Sequence, residues 1–183
     1  ELMGKFTQEL AILSRVRHRN VVAFVGAVTE QPNLCVVLEF MAAGSLHELI
    51  HKRKTVLQLP RLLQLATDVA SGCHYLHRLK PAIIHRDLKP LNIMVSQNVG
   101  APISAKVLDF GLAKPMKESD DEQVTVKGTI IGSPLYMSPE QIFNEDVDHR
   151  SDIYSLGILA FEMLTGRPPF VLNKEGHVRD LLK

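Results

Sequence analysis

The stretch that decides the fold of this chain lies between two short apolar runs near the middle of the sequence. It reads His85-Arg86-Asp87-Leu88-Lys89-Pro90-Leu91-Asn92. A potential base, two cations and an amide therefore fall within eight residues, beside runs that have the character of buried strands. Burying so many polar groups is costly unless they bind one another or a ligand. The stretch therefore predicts a binding or catalytic loop between strands.

A second polar motif begins fourteen residues after Asn92, where residues 106–111 read Lys-Val-Leu-Asp-Phe-Gly. This is the pattern of a strand that ends in a carboxylate, Asp109, and a glycine. Taken singly, Asp87 or Asp109 is more often a solvated loop carboxylate or a helix cap. In this order and at this spacing, the two motifs resemble the catalytic loop and the magnesium-binding loop of protein kinases.

Two further motifs extend the resemblance. Residues 138–140, Ser-Pro-Glu, nearly match the Ala-Pro-Glu that closes the kinase activation segment. Residues 152–157, Asp-Ile-Tyr-Ser-Leu-Gly, resemble the start of the buried central helix of the family, with Tyr154 where tryptophan is more usual. Because four motifs occur in order, the chain is identified as a member of the eukaryotic-type protein kinase family.

The hydrophobic pattern predicts a helix, then strands, then mostly helices, which is an α+β layout. The predicted elements are a helix over 5–16, an antiparallel strand pair over 21–29 and 34–40, a short helix over 46–52 after Ser45, a long helix from Pro60, and a helix over 152–164. The apolar face of the first helix is predicted to carry Phe6, Leu10, Leu13 and Val16, with three arginines, at 15, 17 and 19, near its C-terminal end. The long helix is predicted to carry an apolar stripe of Leu62, Leu65, Val69, Cys73 and Leu76. Three short apolar runs are predicted as small strands: 83–84, 93–95 and 106–108. Both cysteines, Cys35 and Cys73, are expected to be buried small hydrophobes, since each lies in an apolar stretch. His74 and His77 lie three positions apart on the long helix and could reach one metal ion, but no third ligand is evident, so we expect surface or core packing.

The resemblance implies a two-lobed kinase fold. We expect residues 1–41 to be the remainder of the small lobe with the hinge, and residues 42–183 to belong to the mainly helical large lobe, with an activation segment at 109–140. The glycine-rich turn and the strand lysine of kinases are absent before Glu9, and few residues follow Gly166. We therefore expect a partial kinase domain that by itself has little or no activity.

The resemblance also implies roles for the residues of the first two motifs. Asp87 would accept or orient the proton of the substrate hydroxyl, and Lys89 would offset charge near the γ-phosphate of ATP. Asn92 and Asp109 would hold Mg²⁺, a hard cation that prefers oxygen ligands. Lys89 lies two residues after Asp87, as in serine/threonine kinases. His85 is expected to be structural, not a proton carrier.

Four other residues correspond to the nucleotide site of the family. Glu9, on the first helix, would pair with a strand lysine that sets the α- and β-phosphates. Residues 38–41, Leu-Glu-Phe-Met, resemble the gatekeeper and hinge, so the backbone of Glu39 and Met41 would bond to adenine. Met94 would lie beneath the adenine ring. Residues 44–46, with the region of Gly26, somewhat resemble the tyrosine-kinase-like group.

Regulation is expected in the polar stretch 114–130. Arg86, next to Asp87, corresponds to a kinase arginine that receives a phosphate from the activation segment. Thr125 and Thr129 are the expected acceptors of that phosphate. An upstream kinase, or trans-autophosphorylation, would supply it.

Composition limits the partners. The 183-residue chain has 21 Lys and Arg against 20 Asp and Glu, a net charge of +1, which predicts neither nucleic acid nor a membrane surface as a partner. No apolar run approaches the ~18 residues of a membrane span. The two cysteines and the lack of a secretory leader favour a reduced intracellular location, cytoplasmic in our interpretation.

A second hypothesis remains open alongside a kinase acting on serine and threonine hydroxyls of proteins. The chain could be a catalytically inactive kinase-like scaffold or nucleotide-binding module. Intact Asp87, Lys89, Asn92 and Asp109 argue against this alternative, whereas the missing strand lysine keeps it open.

Overall fold

The computed structural model describes residues 2–30, 33–52, 58–97, 102–108 and 134–170. The helices are α1 (Leu2–Leu13), α2 (Leu59–Arg78), α3 (Pro139–Ile142) and α4 (His149–Thr165). The strands are β1 (Phe24–Val28), β2 (Cys35–Leu38), β3 (Ile93–Ser96) and β4 (Ser104–Val107). A π-helical turn (Glu48–Lys52) and two 3-10 turns (Pro90–Asn92 and Pro134–Tyr136) complete the elements. Within these residues, no helix is both long and apolar enough to cross a membrane.

Within the described ranges, the strands form two small antiparallel sheets. β1 pairs with β2, as the sequence pattern predicted, and β3 pairs with β4. Val21 also forms a parallel bridge with Val107, so the segment before β1 lies along β4. Residues 83–84, predicted as a strand, form none. The Ile83 N–H instead donates to the Leu76 carbonyl at the end of α2 (3.1 Å), and its side chain joins the core there.

Helix α1 lies about three residues earlier than predicted. The helix ends at Leu13, and a turn at residues 14–15 follows. Val16 was predicted on the apolar face of the helix, but it follows the turn and packs there with Val21 and Leu76. The three arginines at 15, 17 and 19 therefore follow the helix and do not lie in its last turn.

Helix α2 carries the core of the larger part of the chain. The predicted apolar stripe is buried at every position: Leu62, Leu65, Val69, Cys73 and Leu76. This stripe packs against β4, and α2 also packs against α4. The cysteine prediction is confirmed for Cys73 but wrong for Cys35, which is exposed. Cys35 lies on a two-stranded sheet, in which alternate side chains face outward.

Gly72 allows α2 to approach the chain very closely. A Cβ atom built on Gly72 would lie 2.5 Å from the backbone oxygen of Asn20 and 3.0 Å from a methyl carbon of Val107. Asn20 cannot easily move away, because its carbonyl accepts the Val107 N–H and its side-chain amide donates to the Ala105 carbonyl, both at 2.9 Å. Only glycine fits this position without displacing the edge of β4.

We expect Gly72→Ala to lower the free energy of unfolding by about 1–3 kcal/mol, the usual cost of overpacking a core. Gly157→Ala is the matched control, because a Cβ at Gly157 in α4 meets no atom within 4 Å. Alanine is also favoured over glycine in a helix by up to about 1 kcal/mol. Urea unfolding of both variants checks this, and equal effects of the two substitutions would contradict it.

Candidate active site

The two polar motifs meet at the sheet formed by β3 and β4. The 3-10 turn Pro90–Asn92 leads directly into β3, and β4 returns beside it. At the end of this pair, the Leu108 N–H donates to the Asn92 carbonyl at 2.9 Å. Sheet pairing therefore brings Leu108, within the second motif, next to Asn92, the last residue of the first. Asp109, which follows Leu108 in sequence, lies outside the described residues.

Asp87 is held by two side chains of its own loop. Its Oδ2 atom accepts a hydrogen bond from Lys89 Nζ at 2.7 Å and from Asn92 Nδ2 at 3.0 Å. The same amide nitrogen donates to the Asp87 backbone carbonyl at 2.9 Å. The Lys89 and Asp87 side chains are 16% and 18% exposed, so the ion pair is largely shielded but still reachable from solvent. The three sequence-predicted residues thus form one cluster around a single carboxylate.

His85 has a structural role, as predicted. Its side chain is buried, its Nε2 donates to the Leu108 carbonyl at 3.0 Å, and its Nδ1 accepts the Asp87 N–H at 3.2 Å. One ring nitrogen donates and the other accepts, which defines the neutral Nε2–H tautomer. His85 therefore connects the catalytic loop to the end of β4.

Asp152, in the first turn of α4, accepts hydrogen bonds from the backbone of the loop and holds it in place. Its Oδ2 accepts the His85 N–H at 2.8 Å and its Oδ1 accepts the Arg86 N–H at 2.9 Å. His77 of α2 donates from Nε2 to Oδ2 at 2.6 Å. Arg86 has a φ of 63°, in the left-handed region that is costly for a residue with a Cβ, and its bond to Asp152 helps to hold this conformation.

These contacts also determine the ionisation of Asp152. Burial alone would raise its pKa, but the hydrogen bonds from His77, His85 and Arg86 outweigh burial and lower the pKa below the ordinary value. The buried carboxylate is therefore ionised at neutral pH and acts as a fixed acceptor for the loop.

The sequence interpretation missed the roles of Asp152 and His77. Asp152 was read only as the start of a helix, and His77 was considered with His74 and assigned to surface or core packing. Among the described residues, no cluster of three or more His, Cys, Asp or Glu is placed to hold a metal ion. A usable signal was present, since Asp152, Ser155 and Glu162 share the buried face of α4 with apolar residues. Polar side chains on a buried face need partners.

The end of the segment 109–140 is joined to the catalytic loop by Gln141. Its Nε2 donates to the Arg86 carbonyl at 2.8 Å, and its Oε1 accepts the Ser138 N–H at 3.2 Å. The Glu140 carboxylate accepts a hydrogen bond from the Ser151 hydroxyl of α4, which lowers the pKa of Glu140. The residues after Pro134 are thus fixed to both the loop and α4.

Arg86 presents an unusual side chain. Its Nε atom is buried and has no hydrogen-bond partner among the residues the structure describes. A buried guanidinium N–H without a partner is costly, so an anion or carbonyl is expected to bind it. Thr125 and Thr129, the predicted phosphate acceptors, lie outside the described ranges.

The predicted hinge lies beside β4. The Glu39 N–H donates to the Ala23 carbonyl at 2.9 Å, and the Glu39 carboxylate forms an ion pair with Lys106 of β4. Lys106 is also the strand partner of Met94 on β3. The carbonyl of Met41 accepts the Gly44 N–H at 3.0 Å. The structure therefore brings the hinge and Met94 to the same end of β4, whereas Glu9 lies on α1 and its side chain is outside the description.

Together, these features define a class of protein. A carboxylate held by a lysine and an amide lies at the end of a small sheet, next to a hinge and anchored on a buried helix. Such a site suits phosphoryl transfer, in which the protein mainly supplies positioning and charge. The fold is that of the two-lobed protein kinase class.

Comparison with known proteins agrees with this class. The sequence profile of the family described as "Protein kinase domain" matches residues 2–182. The chain therefore belongs to the protein kinase family.

Curated relatives match over a similar range. Serine/threonine-protein kinase STY17 of Arabidopsis thaliana is 42% identical over 170 residues, which cover 93% of this chain and 28% of the relative. Serine/threonine-protein kinase CTR1 of the same plant is 40% identical over 172 residues, covering 93% of this chain and 20% of the relative. Probable serine/threonine-protein kinase drkC of Dictyostelium discoideum is 33% identical over 170 residues, which cover 93% of this chain and 22% of the relative. The chain spans between a fifth and three tenths of the length of these relatives.

Proposed function

We propose that this protein is a serine/threonine kinase that transfers the γ-phosphoryl group of ATP to serine and threonine hydroxyls of proteins in intracellular signalling. The observation that carries the proposal is the Asp87 carboxylate, which accepts hydrogen bonds from Lys89 at 2.7 Å and Asn92 at 3.0 Å. The names of the three relatives support the choice of serine and threonine over tyrosine. Membership of the tyrosine-kinase-like group, which residues 44–46 and the region of Gly26 resemble, is part of the same proposal.

In the proposed reaction, Asp87 receives a proton. The substrate hydroxyl oxygen forms a bond to the γ-phosphorus while the bond from that phosphorus to the bridging oxygen breaks. ADP leaves with the electron pair of the broken bond, and the hydroxyl proton passes to the Asp87 carboxylate. Because Lys89 and Asn92 both bond to Oδ2, they fix the rotation of the carboxylate toward the incoming hydroxyl.

Lys89 has a second task in this proposal. Negative charge spreads over the phosphoryl oxygens during transfer, and a shielded ammonium group stabilises that charge more strongly than a solvated one. With 16% of its side chain exposed, Lys89 fulfils this condition while its Nζ remains in contact with Asp87. Glu9 would act on the other phosphates through a lysine on a neighbouring strand.

Asn92 and Asp109 are the proposed ligands for Mg²⁺. The amide nitrogen of Asn92 is used in bonds to Asp87, so its amide oxygen is turned away from that residue. Asn92 fits the proposed role because Mg²⁺ accepts amide oxygens as ligands. When bound, the metal would neutralise charge on the phosphate oxygens. Asn92 holds its own position through its backbone carbonyl, which accepts the Leu108 N–H.

The adenine of ATP is proposed to bind at the hinge. Since the Glu39 N–H bonds to Ala23, Glu39 would use its carbonyl oxygen as an acceptor for the adenine amino group. Since the Met41 carbonyl accepts from Gly44, Met41 would use its N–H as a donor. Met94, half-buried on β3, would contact one face of the ring.

Regulation by phosphorylation is proposed at Thr125 or Thr129. The buried Arg86 Nε, which lacks a partner in the described part of the chain, would bind the new phosphate. An upstream kinase or trans-autophosphorylation would add it. Cytoplasmic location, and the division into a small lobe at 1–41 and a large lobe at 42–183 with an activation segment at 109–140, belong to the same proposal.

We expect the full-length protein to transfer labelled phosphate from Mg-ATP to a peptide that contains serine, threonine and tyrosine. After acid hydrolysis, the label should appear in phosphoserine and phosphothreonine, because Lys89 follows Asp87 by two residues as in kinases of this specificity. Label found only in phosphotyrosine would contradict the proposed specificity. Binding of ATP without any transfer would instead favour an inactive nucleotide-binding scaffold.

A further inference from the structure

Two stretches of the chain carry cations and no acidic residue, and the fold packs them against each other. Residues 10–29 hold three arginines and no Asp or Glu, and residues 69–85 hold one arginine and one lysine and no Asp or Glu. All five of these residues are exposed: Arg15, Arg17, Arg19, Arg78 and Lys80. We call these five residues the basic patch.

The first stretch presents its three arginines by alternation. Val16 and Asn20 are buried and His18 is half-buried between them, whereas the arginines at positions 15, 17 and 19 are exposed. The inward side chains hold this segment in place, since the Asn20 side-chain amide donates to the Ala105 carbonyl of β4 at 2.9 Å. The arginines therefore extend from a backbone that is fixed beneath them.

The end of α2 completes the basic patch. Tyr75 of α2 stacks on His18, with ring centroids 4.7 Å apart and an angle of 15° between the rings, and its hydroxyl accepts the Arg17 N–H at 3.0 Å. Arg78 lies three positions after Tyr75, on the same side of the helix, and Lys80 follows it. Apolar residues of both stretches also share one hydrophobic cluster. The cations of the two stretches therefore belong to one surface.

The charge of the basic patch is not balanced within the described part of the chain. None of its five residues forms an ion pair with another described residue. His18 adds no charge at neutral pH, because partial burial and the nearby Arg19 lower its pKa, and its Nδ1 accepts the Asn20 N–H at 3.2 Å. The patch thus consists of cations that repel one another and that an anionic partner would stabilise.

The surroundings of the patch select the class of anion. Four of its five cations are arginines, which form paired hydrogen bonds with carboxylates and phosphates. Among residues 14–22 and 74–83, no large hydrophobic side chain is exposed, so the patch has no group to insert into a membrane interface. The rings of His18 and Tyr75 stack on each other and do not present a free pair of faces to nucleic-acid bases.

The charge of the remaining chain points the same way. The whole chain has 21 Lys and Arg against 20 Asp and Glu, so the residues outside the basic patch are net acidic. A long polyanion, such as a nucleic acid or an anionic membrane, would be repelled beyond the patch, whereas a short acidic peptide would not. A second copy of the chain is also disfavoured, because a twofold contact would place arginines against arginines.

We propose that the basic patch binds an acidic segment of another protein, whose Asp and Glu carboxylates pair with the exposed guanidinium and ammonium groups. None of the five residues belongs to the candidate active site. The inference therefore goes beyond the proposed kinase function and does not depend on it.

The test is peptide binding by the full-length protein in the absence of ATP. The probe is a fluorescein-labelled peptide in which glutamate alternates with glycine, and the matched peptide has glutamine in place of every glutamate. In fluorescence anisotropy, the glutamate peptide should bind and the glutamine peptide should not. The Kd of the glutamate peptide should rise when salt is raised from about 0.1 M to about 1 M, because the screening length falls from about 10 Å to about 3 Å.

Two double variants remove charge from each stretch separately. Arg15→Gln with Arg19→Gln, and Arg78→Gln with Lys80→Gln, should each raise the Kd of the glutamate peptide about 3- to 10-fold, as expected for two lost ion pairs at an exposed surface. All four side chains are exposed, so both variants should remain folded, and thermal unfolding checks this.

The matched control is Arg61→Gln with Arg167→Gln, which removes two exposed arginines outside the patch and should change the Kd by less than about twofold. Equal Kd values for the wild-type protein and both patch variants would overturn the proposal, as would equal binding of the two peptides. An effect confined to one patch variant would contradict a single surface.

Three further outcomes would replace the proposed partner by another class. Phosphatidylserine vesicles or duplex DNA that bind to the basic patch more tightly than the glutamate peptide would indicate a membrane or a nucleic acid. A dimer in sedimentation experiments that the patch variants dissociate would indicate a second copy of the chain. The expected result is a protein that stays monomeric and binds neither vesicles nor DNA more tightly than the peptide.

Discussion

Asp87→Asn is expected to lower kcat for phosphate transfer by about 10²- to 10⁴-fold, the usual contribution of a positioned general base. Asparagine has nearly the shape of aspartate but cannot take the substrate proton. It also removes the negative charge that holds Lys89 Nζ at 2.7 Å. ATP affinity should change little, because the hinge contacts lie elsewhere.

The matched control is Asp146→Asn, which makes the same chemical change at an exposed loop position. Transfer from Mg-ATP to peptide and equilibrium binding of ATP should be measured for both variants. Equal kcat values for the wild-type protein and Asp87→Asn would exclude Asp87 as the base. A similar loss in Asp146→Asn would show that the effect is not specific to the catalytic loop.

Asp152→Asn is expected to lower the free energy of unfolding by about 3 kcal/mol or more, since it disrupts a buried acceptor of three hydrogen bonds. One amide oxygen cannot replace both carboxylate oxygens, so an NH₂ group would face a backbone N–H of His85 or Arg86 or the N–H of His77. The loop would also lose its hold on the left-handed backbone of Arg86, and kcat should fall as well. Urea unfolding and peptide phosphorylation measure the two effects.

Lowering the pH should remove the contribution of Asp152 to the free energy of unfolding. The pKa of Asp152 is lower in the folded protein than its ordinary value of 3.8, so the unfolded chain binds the proton more readily. The stability that Asp152 contributes is therefore complete above about pH 4 and is lost as pH falls through the lowered folded pKa. The stability of the asparagine variant should lack this component, and parallel pH profiles for the two proteins would contradict the assignment.

The predicted elements that proved correct rest on local signals. The stripe on α2 repeats every three or four residues, so its buried face could be read from spacing alone. The antiparallel pair of β1 and β2 followed from two apolar runs around turn residues. The errors arose where burial depended on distant residues. Val16 is buried after a turn that ends the helix, and Ile83 forms no strand but joins the core at the end of α2.

The candidate site divides in the same way. Asp87, Lys89 and Asn92 lie within six consecutive positions, so their cluster follows from a short loop and could be inferred without a structure. Asp152 lies 67 positions from His85, which it anchors, and no local pattern connects them. A search for polar residues on the buried face of α4 would have identified Asp152 and Glu162 as needing partners, but not which partners they have.

The family motifs and the proposed chemistry of residues 85–92 are thus encoded in linear order, because the candidate base, cation and amide lie within six consecutive positions. The anchors of that loop depend on the packing of α2 and α4. Packing of the helices excludes water from Asp152 and Glu162, so these carboxylates must bind other side chains. Asp152 binds His77, and Glu162 binds His51 and Tyr136. In the unfolded chain, each of these carboxylates would be solvated by water, and in the folded chain it is hydrogen-bonded to particular side chains. The tertiary structure alone therefore identifies these partners.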